Sequence, residues 1–267
     1  MKVLIRGAGD IASGIALRLH RAGMQVVMTD LPAPTAIRRT VCFSQAILLG
    51  EMTVEDVTAR RADSVEEAES LLRRGLIPVL ADPDCACRAQ LRPDALVDAI
   101  LAKRNLGTKI DDAPVVVGIG PGFTAGEDCH AVVETMRGHT LGRVIYRGSA
   151  LPNTNIPGLI GGYAGERVLR APADGIFRQR LDIGAVVRAG DIAGEVNGEP
   201  MKCTIDGVLR GILADGTPVF KGMKSGDVDP RCKPEYCTTA SDKALAVGGG
   251  VLEAVLNLSG TPRSSCL

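Results

Sequence analysis

The fold is decided by the stretch KVLIRGAGDIA, residues 2–12, in which a short apolar run leads into a glycine-rich turn. A helical pattern follows, with Ile11 and Leu19 on one face. The next apolar run, QVVMTD at residues 25–30, ends in an aspartate. A strand, a glycine turn, a helix, a strand and an acid in this order are typical of the βαβ unit that binds dinucleotides, in which alanine can replace the third glycine.

Each position of this unit has a physical role in holding a nucleotide-like anion. Gly7 permits a tight turn, and Gly9 lets the backbone approach a diphosphate at the helix N-terminus, where free amides and the helix dipole attract anions. Ala12 keeps the helix close to the strand, and Asp30 is placed to accept a hydrogen bond from a ribose hydroxyl. Asp10 leaves alternatives open, since its carboxylate would repel a phosphate or merely cap the helix. We predict cofactor-binding positions at Arg6, Gly7, Gly9, Asp10, Ile11, Ala12 and Asp30.

A further predicted strand, IPVLAD at residues 77–82, is followed by Asp84, Cys85 and Cys87. Residues just past the carboxyl ends of parallel strands line the ligand crevice of an open α/β sheet. Two neighbouring thiols at that edge are suited to redox or chalcogen chemistry, and the alternative is that they are incidental surface cysteines. The segment after them, residues 93–104, has helix start and stop signals and is predicted as a helix.

A second glycine turn follows the most strand-like run of the chain, APVVVGI at residues 113–119. The pattern predicts a strand, a glycine turn and a helix that runs through residues 130–136, the same design as the first unit. Such a bend turns backbone amides toward an anion. We predict additional cofactor-binding positions here, at Gly118, Gly120, Pro121, Gly122 and Phe123.

Three titratable residues accompany this turn. His130 and Glu134 are four residues apart and would share one face of the predicted helix. With Asp128 they favour a catalytic cluster whose members donate or accept protons, and the alternative is a helix end with ordinary polar residues. Their spacing matches no zinc signature, so no metal site is predicted. The candidate catalytic residues are Asp128, His130 and Glu134.

The remainder of the chain has a different sequence pattern. Short β-prone runs with a turn about every eight residues begin at residue 167, and the pairs Asp174-Gly175 and Asp206-Gly207 repeat within them. The repeat resembles an internally symmetric barrel-sandwich hybrid of the biotinyl/lipoyl type. A final helix, Lys243 to Asn257, contains three consecutive glycines, each costing about 1 kcal/mol relative to alanine, so close packing on another backbone is expected.

These patterns together predict an α/β fold class with three parts. Residues 1–162 form a Rossmann-like domain with a mostly parallel sheet. Residues 163–231 form the barrel-sandwich β module. Residues 232–267 form a C-terminal segment whose helix returns to the α/β domain.

Composition excludes several classes of partner. The chain has 267 residues with 31 Lys and Arg against 31 Asp and Glu, so no net charge attracts it to nucleic acid or to an anionic membrane. Four Phe, three Tyr and no Trp are too few for a platform of stacked bases. With no secretory signal and no apolar stretch of membrane-spanning length, we expect a cytoplasmic protein whose eight cysteines are thiols.

Five segments of the chain form a recognisable set: IRGAGDIA (5–12), GPGF (120–123), ETMRGH (134–139), LGRVI (141–145) and GDVDPR (226–231). Together they resemble the YqeB family of accessory proteins for selenium-dependent molybdenum hydroxylases. The resemblance covers nearly the whole chain, to about Leu258, and the residues from 259 to 267 fall outside it. The first unit is also similar to the Rossmann domain of XdhC-type maturation factors for molybdenum enzymes.

The resemblance implies a part in maturing the molybdenum–selenium centre and defines no reaction. We expect a maturation factor that binds a nucleotide-like ligand, such as molybdopterin dinucleotide, between the Gly7 and Gly120 turns and assists selenium or sulfur insertion. Its partners would be the molybdenum hydroxylase or its maturation machinery, and a homo-oligomer stays open. Two alternatives remain: an NAD(P)-dependent oxidoreductase, for which Asp30 favours NAD and His130 supplies a base, and a non-catalytic docking scaffold.

Overall fold

The computed structural model describes residues 1–154 and 156–260. The chain packs into two compact units. Unit 1 comprises residues 1–33, 43–153 and the segment from Ala240 onward, and unit 2 comprises residues 34–42 and 154–239. The observed borders of the β-rich unit therefore fall at 153/154 and 239/240, where the sequence placed them at 162/163 and 231/232.

Unit 1 is built on a large, mostly parallel sheet. Within the described residues its nine strands follow the order β10-β9-β7-β6-β1-β2-β5-β4-β3, and only the β10–β9 and β4–β3 pairs at the two edges are antiparallel. A separate two-stranded sheet joins β8 to β11. The strands are β1 (Lys2–Arg6), β2 (Gln25–Asp30), β3 (Glu51–Val54), β4 (Val57–Arg61), β5 (Ile77–Ala81), β6 (Ala95–Asp98), β7 (Val115–Ile119), β8 (Thr124–Ala125), β9 (Ala131–Val133), β10 (Val144–Ile145) and β11 (Gly148–Ser149).

The strand order reverses beside β1. The chain runs from β1 to β2 on one side and returns at β6 on the other, so that Val3 is the register partner of both Val26 and Ala95. At the carboxyl end of this pairing, Arg6 of β1 faces Asp98 of β6. In open α/β sheets a ligand crevice forms outside the carboxyl ends of the strands at such a reversal.

Helices cover both faces of this sheet. The helices of unit 1 are α1 (Asp10–Arg21), α2 (Gln45–Leu49), α3 (Val65–Arg73), α4 (Arg88–Leu91) and α5 (Asp242–Leu258). Leu71 of α3 shares a core with Leu4 and Val132 on one face, whereas α5 contacts Val133 on the other face. The sequence predicts a helix from Ser64 to Arg74, with Glu67 at the capping-box position and Gly75 as its stop, and α3 confirms it. The Ser64 hydroxyl accepts the Glu67 N–H at 3.2 Å as an N-cap. No helix in the described part of the chain is long and apolar enough to cross a bilayer.

The glycines of α5 bring its backbone against other backbones. A Cβ at Gly248 would lie 2.8 Å from the carbonyl oxygen of Gly14 in α1, and a Cβ at Gly250 would lie 2.2 Å from that of Gly142. Gly14 is equally crowded, since its Cβ would lie 2.8 Å from the backbone of Ala244. The close packing expected from the glycine run is therefore present, with α1 as the main neighbour of α5.

Two predicted helices are strands, and both predictions were wrong. The segment 93–104 contains β6, a central strand of the sheet, and the segment 130–136 contains β9. The turn at Gly120 consequently joins two strands, β7 and the short β8, and opens no helix. A buried parallel strand is a continuous apolar run, which periodicity alone cannot distinguish from a short buried helix.

Unit 2 consists of two antiparallel four-stranded sheets in the described residues, with the orders β12-β19-β17-β14 and β16-β15-β13-β18. Both sheets contribute to one core, in which Phe177 of β13 and Leu209 of β17 are fully buried. In each repeated Asp-Gly pair the glycine is the first residue of a strand, β13 in one sheet and β17 in the other. The strands are β12 (Val168–Arg170), β13 (Gly175–Gln179), β14 (Val186–Val187), β15 (Ile192–Val196), β16 (Glu199–Lys202), β17 (Gly207–Ile212), β18 (Pro218–Val219) and β19 (Lys224–Asp229).

A buried ionic network fastens β19 within unit 2. Arg167 donates to Asp227 at 2.7 Å, and Arg210 of β17 donates to Asp227 at 2.8 Å and to Asp229 at 3.1 Å. Arg231 adds a bond of 2.9 Å to Asp229. Both carboxylates are at most 3% exposed, so their charges depend on these guanidinium partners.

Candidate functional site

The strongest candidate site lies where the strand order reverses. Arg6 and Asp98, the last residues of β1 and β6, form a buried ion pair at 3.4 Å. Arg6 also donates to the Thr108 hydroxyl at 3.1 Å and to the carbonyl oxygens of Pro83 and Leu106, each at 3.2 Å. The Thr108 hydroxyl donates in turn to Asp98 at 2.6 Å. Arg6 therefore ties two strands and two loops together at the carboxyl edge of the sheet.

The loop after β5 places two thiols at this edge. Asp82 shapes the loop by accepting the N–H groups of Ala86 at 3.0 Å and Cys87 at 2.8 Å. Cys85 has a φ of +56°, a left-handed conformation that costs a non-glycine residue about 1–2 kcal/mol. Such strain is concentrated at functional loops, where surrounding structure holds it in place.

A cavity of about 210 Å³ opens beside these groups. Its wall carries both positive and negative side chains together with Cys85, which is 2% exposed. Arg88 donates to Asp112 at 3.1 Å and to the Cys85 carbonyl at 3.0 Å, which fixes the thiol loop from the far side. The lining residues are Arg6, Asp84, Cys85, Arg88, Leu96, Leu106, Gly107, Thr108 and Asp112.

The two thiols of this loop differ in acidity. The Cys87 thiol donates a hydrogen bond to Cys85, which lowers the pKa of Cys85 although burial opposes the shift. The charge of Arg6 lowers that pKa further, and the charge of Asp82 opposes it. The same hydrogen bond, with burial, raises the pKa of Cys87. The thiolate of Cys85 therefore forms at a lower pH than that of Cys87.

The first glycine turn has the predicted backbone shape, but the chain itself occupies part of its hydrogen-bonding capacity. Gly7 has a φ of +107°, and a Cβ there would lie 2.9 Å from the carbonyl oxygen of Ala99, so its close neighbour is the chain's own backbone. The Ala8 N–H donates to Asp30 at 2.8 Å, and the other Asp30 oxygen accepts the Leu31 N–H at 2.7 Å. At Gly9 the position of a Cβ is open space. The turn therefore offers one open face, at Gly9 and the start of α1.

The second glycine turn is packed against the chain itself. The Phe123 ring fills the space at Gly118, and Thr135 fills that at Gly120, each within 2.6 Å of where a Cβ would lie. A Cβ at Gly122 would lie 2.6 Å from the backbone of Arg104. The Gly120 N–H already donates to Val133. The prediction of a ligand pocket between the Gly7 and Gly120 turns is therefore wrong. Pro121 is half-buried at the edge of this packed turn.

The predicted catalytic cluster is dispersed along β9 and its flanks. His130 and Glu134 flank the strand β9, so about 13 Å of extended chain separates them instead of one helical turn. The Nδ1 atom of His130 accepts the Val116 N–H at 3.0 Å, which places its proton on Nε2. Asp128 accepts the Thr124 N–H at 2.8 Å and the Asn105 amide at 3.1 Å.

Glu134 is a buried anchor for two loops. Its carboxylate is 2% exposed and accepts the N–H groups of Thr135 and Met136, each at 2.7 Å, and that of Leu151 at 2.8 Å. Three hydrogen bonds from the chain itself therefore give this carboxylate a structural role.

We expect Glu134→Gln to lower the free energy of unfolding by about 1–2 kcal/mol, because the new NH₂ group would face the Leu151 N–H. Urea unfolding followed by circular dichroism measures the change. A variant that unfolds at the wild-type urea concentration yet loses function in cells would instead assign Glu134 to the chemistry.

Several members of the site escaped the sequence analysis. Asp98 was missed because the segment 93–104 is predicted as a helix, although the apolar run that ends at Asp98 and the acid itself are a usable strand signal. Arg88, Thr108 and Asp112 carry no local signal. Arg6, Asp84, Cys85 and Cys87 were recognised, and the structure brings Arg6 and Cys85 to one cavity.

A curated relative resembles almost the whole chain. The sequence is 55% identical over 256 residues, or 96% of its length, to the Uncharacterized protein YqeB of Escherichia coli (strain K12). The two proteins are therefore homologues. The matched region is 47% of the relative, so the chain spans about half the length of the curated protein that it matches. No family model matches the sequence.

Solved structures give only weak likenesses. A succinylglutamate desuccinylase/aspartoacylase from Rhodobacter sphaeroides shares 19% sequence identity with this chain and has a TM-score of 0.22. The match covers 51% of this chain and 58% of the Rhodobacter chain. An aspartoacylase family protein from Mesorhizobium loti shares 11% identity, covers 76% of this chain and 83% of its own, and has a TM-score of 0.26. At these scores the likenesses carry no argument about fold or activity.

Proposed function

We propose, from its 55% identity with YqeB, that this chain belongs to the YqeB family and that it assists selenium or sulfur insertion during maturation of a molybdenum hydroxylase. The observation that carries the proposal is the loop with two free cysteines, Cys85 and Cys87, of which Cys85 lines a cavity at the carboxyl edge of the sheet. Insertion of a chalcogen atom needs a nucleophile that can hold it, and a thiolate beside an arginine is such a group.

The finer description of the fold is part of this proposal. In unit 1 the order β9-β7-β6-β1-β2-β5, with its reversal beside β1, supports a Rossmann-like domain. In unit 2 the equivalent Asp-Gly turns of two sheets support a barrel-sandwich hybrid. Asp174 accepts the Lys221 N–H at 2.6 Å, and Asp206 accepts the Ala189 N–H at 2.7 Å, so the two turns use the same device. We assign unit 2 a docking role toward the hydroxylase or its maturation machinery.

The size of the cavity limits what it can enclose. Its volume of about 210 Å³ is below the range of about 300–1,000 Å³ that is usual for drug-sized ligands. A complete molybdopterin dinucleotide does not fit inside it, and the Ala8 amide of the first glycine turn already binds Asp30. In our proposal the molybdenum centre is therefore a substrate presented by the partner protein, and the cavity serves only the chalcogen atom and its donor.

The two other functions have less support. An NAD-dependent oxidoreductase would need Asp30 and the first glycine turn for the dinucleotide, and these groups bond mainly to each other. A rise in melting temperature with NADH, and none with selenide, would favour that function over ours. A pure scaffold requires no reactive thiol and is tested by the same cysteine variants.

We expect Cys85→Ala to reduce the activity of the partner hydroxylase at least about tenfold in cells supplied with selenium, because the variant lacks the nucleophile. The measurement is hydroxylase activity, together with selenium per hydroxylase by elemental analysis, in cells that lack the chain and receive either variant or wild type. Cys232→Ser, which alters an exposed thiol of unit 2, is the matched control and should restore wild-type values. Equal selenium content with Cys85→Ala and wild type would refute the proposal.

A further inference from the structure

We propose that Cys85 is the nucleophile of the cavity and Cys87 its resolving thiol, and that the pair takes one sulfane sulfur or selenium atom from a persulfide-type donor and releases it in reduced form. This inference rests on the proposed function for the fate of the released atom. The thiol chemistry itself stands on the geometry of the loop 82–87.

The geometry gives the two thiols different roles. Cys85 lines the cavity beside Arg6, whereas Cys87 is half-buried next to Asp82, whose carboxylate accepts its N–H. Cys87 follows Cys85 by two residues in the same loop, and both are free cysteines. Oxidation would therefore join two cysteines of one short loop.

The charges around Cys85 form a mixed wall. Arg6 and the hydrogen bond from Cys87 favour its thiolate, and Asp82 opposes it. The other charged groups of the cavity, Arg88 and Asp112, neutralise each other at 3.1 Å, and Asp84 is exposed. We therefore expect the thiolate fraction of Cys85 to rise at a lower pH than that of an ordinary cysteine.

The proposed reaction has two balanced steps. First, the Cys85 thiolate attacks the terminal sulfur of a persulfide donor. The donor's S–S bond breaks, its thiolate leaves with the electron pair, and Cys85 becomes a persulfide. Second, Cys87 attacks the Sγ atom of Cys85, the new S–S bond breaks, and hydrogen sulfide departs with the Cys87 proton. The sulfane atom is reduced by two electrons as the dithiol becomes a disulfide, which an external dithiol then reduces. A selenium atom follows the same course and leaves as hydrogen selenide.

Other thiols of the chain serve as internal standards. Burial raises the pKa of Cys129 to about 11 and that of Cys203 to about 11, so both should be poor nucleophiles. Within the described residues no group of three or more metal-ligating side chains is present, so a metal site does not compete for the Cys85–Cys87 pair.

The first test is alkylation of the full chain by iodoacetamide, in a Cys232→Ser background that removes the exposed thiol of unit 2. Tryptic digestion yields one peptide, residues 75–88, that contains Cys85 and Cys87 and allows fragment ions to separate them. At pH 7 we expect Cys85 to react at least about tenfold faster than Cys129 and Cys203. Cys87→Ala should slow Cys85 at least about threefold, since it removes the hydrogen bond to the thiolate. Equal rates for Cys85 and Cys129 would overturn the inference.

The second test uses glutathione persulfide as donor. Wild type should release sulfide and form the Cys85–Cys87 disulfide. Cys87→Ala should stop at a persulfide on Cys85, and Cys85→Ala and Cys85→Ser should do neither while melting as wild type does. Sulfide release that survives in either Cys85 variant overturns the inference. If these reactions hold while the hydroxylase matures without the chain, the proposed function fails and the thiol chemistry remains.

Discussion

Asp227→Ala is expected to lower the free energy of unfolding of unit 2 by about 3–5 kcal/mol, as removal of one partner from a buried ion pair does. Asp227 is 3% exposed and takes hydrogen bonds from Arg167 and Arg210. In the variant both guanidinium groups stay buried, Arg210 with Asp229 alone and Arg167 with the carbonyl of Gly158. The main cause of the loss is that the buried charges of Arg167 and Arg210 no longer have the carboxylate that offset the cost of burying them.

The measurement for Asp227→Ala is urea unfolding, with hydrogen exchange of peptides from β17 and β19 as the local probe. Glu195→Ala is the matched control, because its partner Arg180 is 57% exposed and water replaces the lost contact. Equal losses of unfolding free energy in Asp227→Ala and Glu195→Ala would contradict a stabilising role for the buried network. Burial raises the pKa of Asp229, but its interactions with Arg231 and Arg210 lower it below the ordinary value. The stability that Asp229 contributes to the fold is therefore complete above the ordinary Asp pKa. It is lost as the pH falls through the lowered pKa.

Gly250→Ala and Gly249→Ala are expected to act in opposite directions although they are adjacent in α5. A methyl group at Gly250 would lie 2.2 Å from the Gly142 carbonyl oxygen, and because that atom belongs to the backbone it cannot move aside cheaply. We expect a loss of about 3 kcal/mol from this overpacking. Gly249 is exposed, and a Cβ there meets nothing within 4 Å. Alanine at Gly249 should therefore stabilise by about 1 kcal/mol through helix propensity alone.

Thermal unfolding of both glycine variants beside wild type measures the difference in sign. The two substitutions add the same methyl group to the same helix, so intrinsic propensity is matched between them. A stabilised Gly250→Ala would contradict the close contact of α5 with the loop at Gly142.

The parts of the fold that were predicted correctly have strong local signals. The β1–α1–β2 unit follows from a short apolar strand, a glycine turn and a helical period within thirty residues. The helix α3 follows from the Ser64 cap and the Gly75 stop. In both cases neighbouring residues along the chain contain most of the information.

The errors arise where tertiary context decides. Residues 95–98 are helix-compatible in isolation, but between β1 and β7 they are buried as a strand. The segment 34–42 joins unit 2 through contacts with distant residues, such as the bond of 2.8 Å from Arg38 to the carbonyl of Tyr236 and that of 2.8 Å from Ile212 to the carbonyl of Ile37. No local pattern encodes such partners.

The candidate site was predicted in part for the same reason. Strand ends gave Arg6 and the cysteine loop, because the carboxyl edge of a parallel sheet is readable from strand order. The second glycine turn misled the prediction, since Gly118 and Gly120 make room for Phe123 and Thr135 rather than for a ligand. A glycine signals that space is needed, and only the folded neighbours decide what occupies it.

The partnership of α1 with α5 also determines when unit 1 can be completed during translation. The whole of residues 154–239 is synthesised between the two helices. At about 5–20 residues per second, the ribosome delivers α5 on the order of ten seconds or more after α1. Throughout that interval α5 is not available to cover the small-residue surface of α1 around Gly14. The nascent chain must avoid association through this surface until α5 has been synthesised.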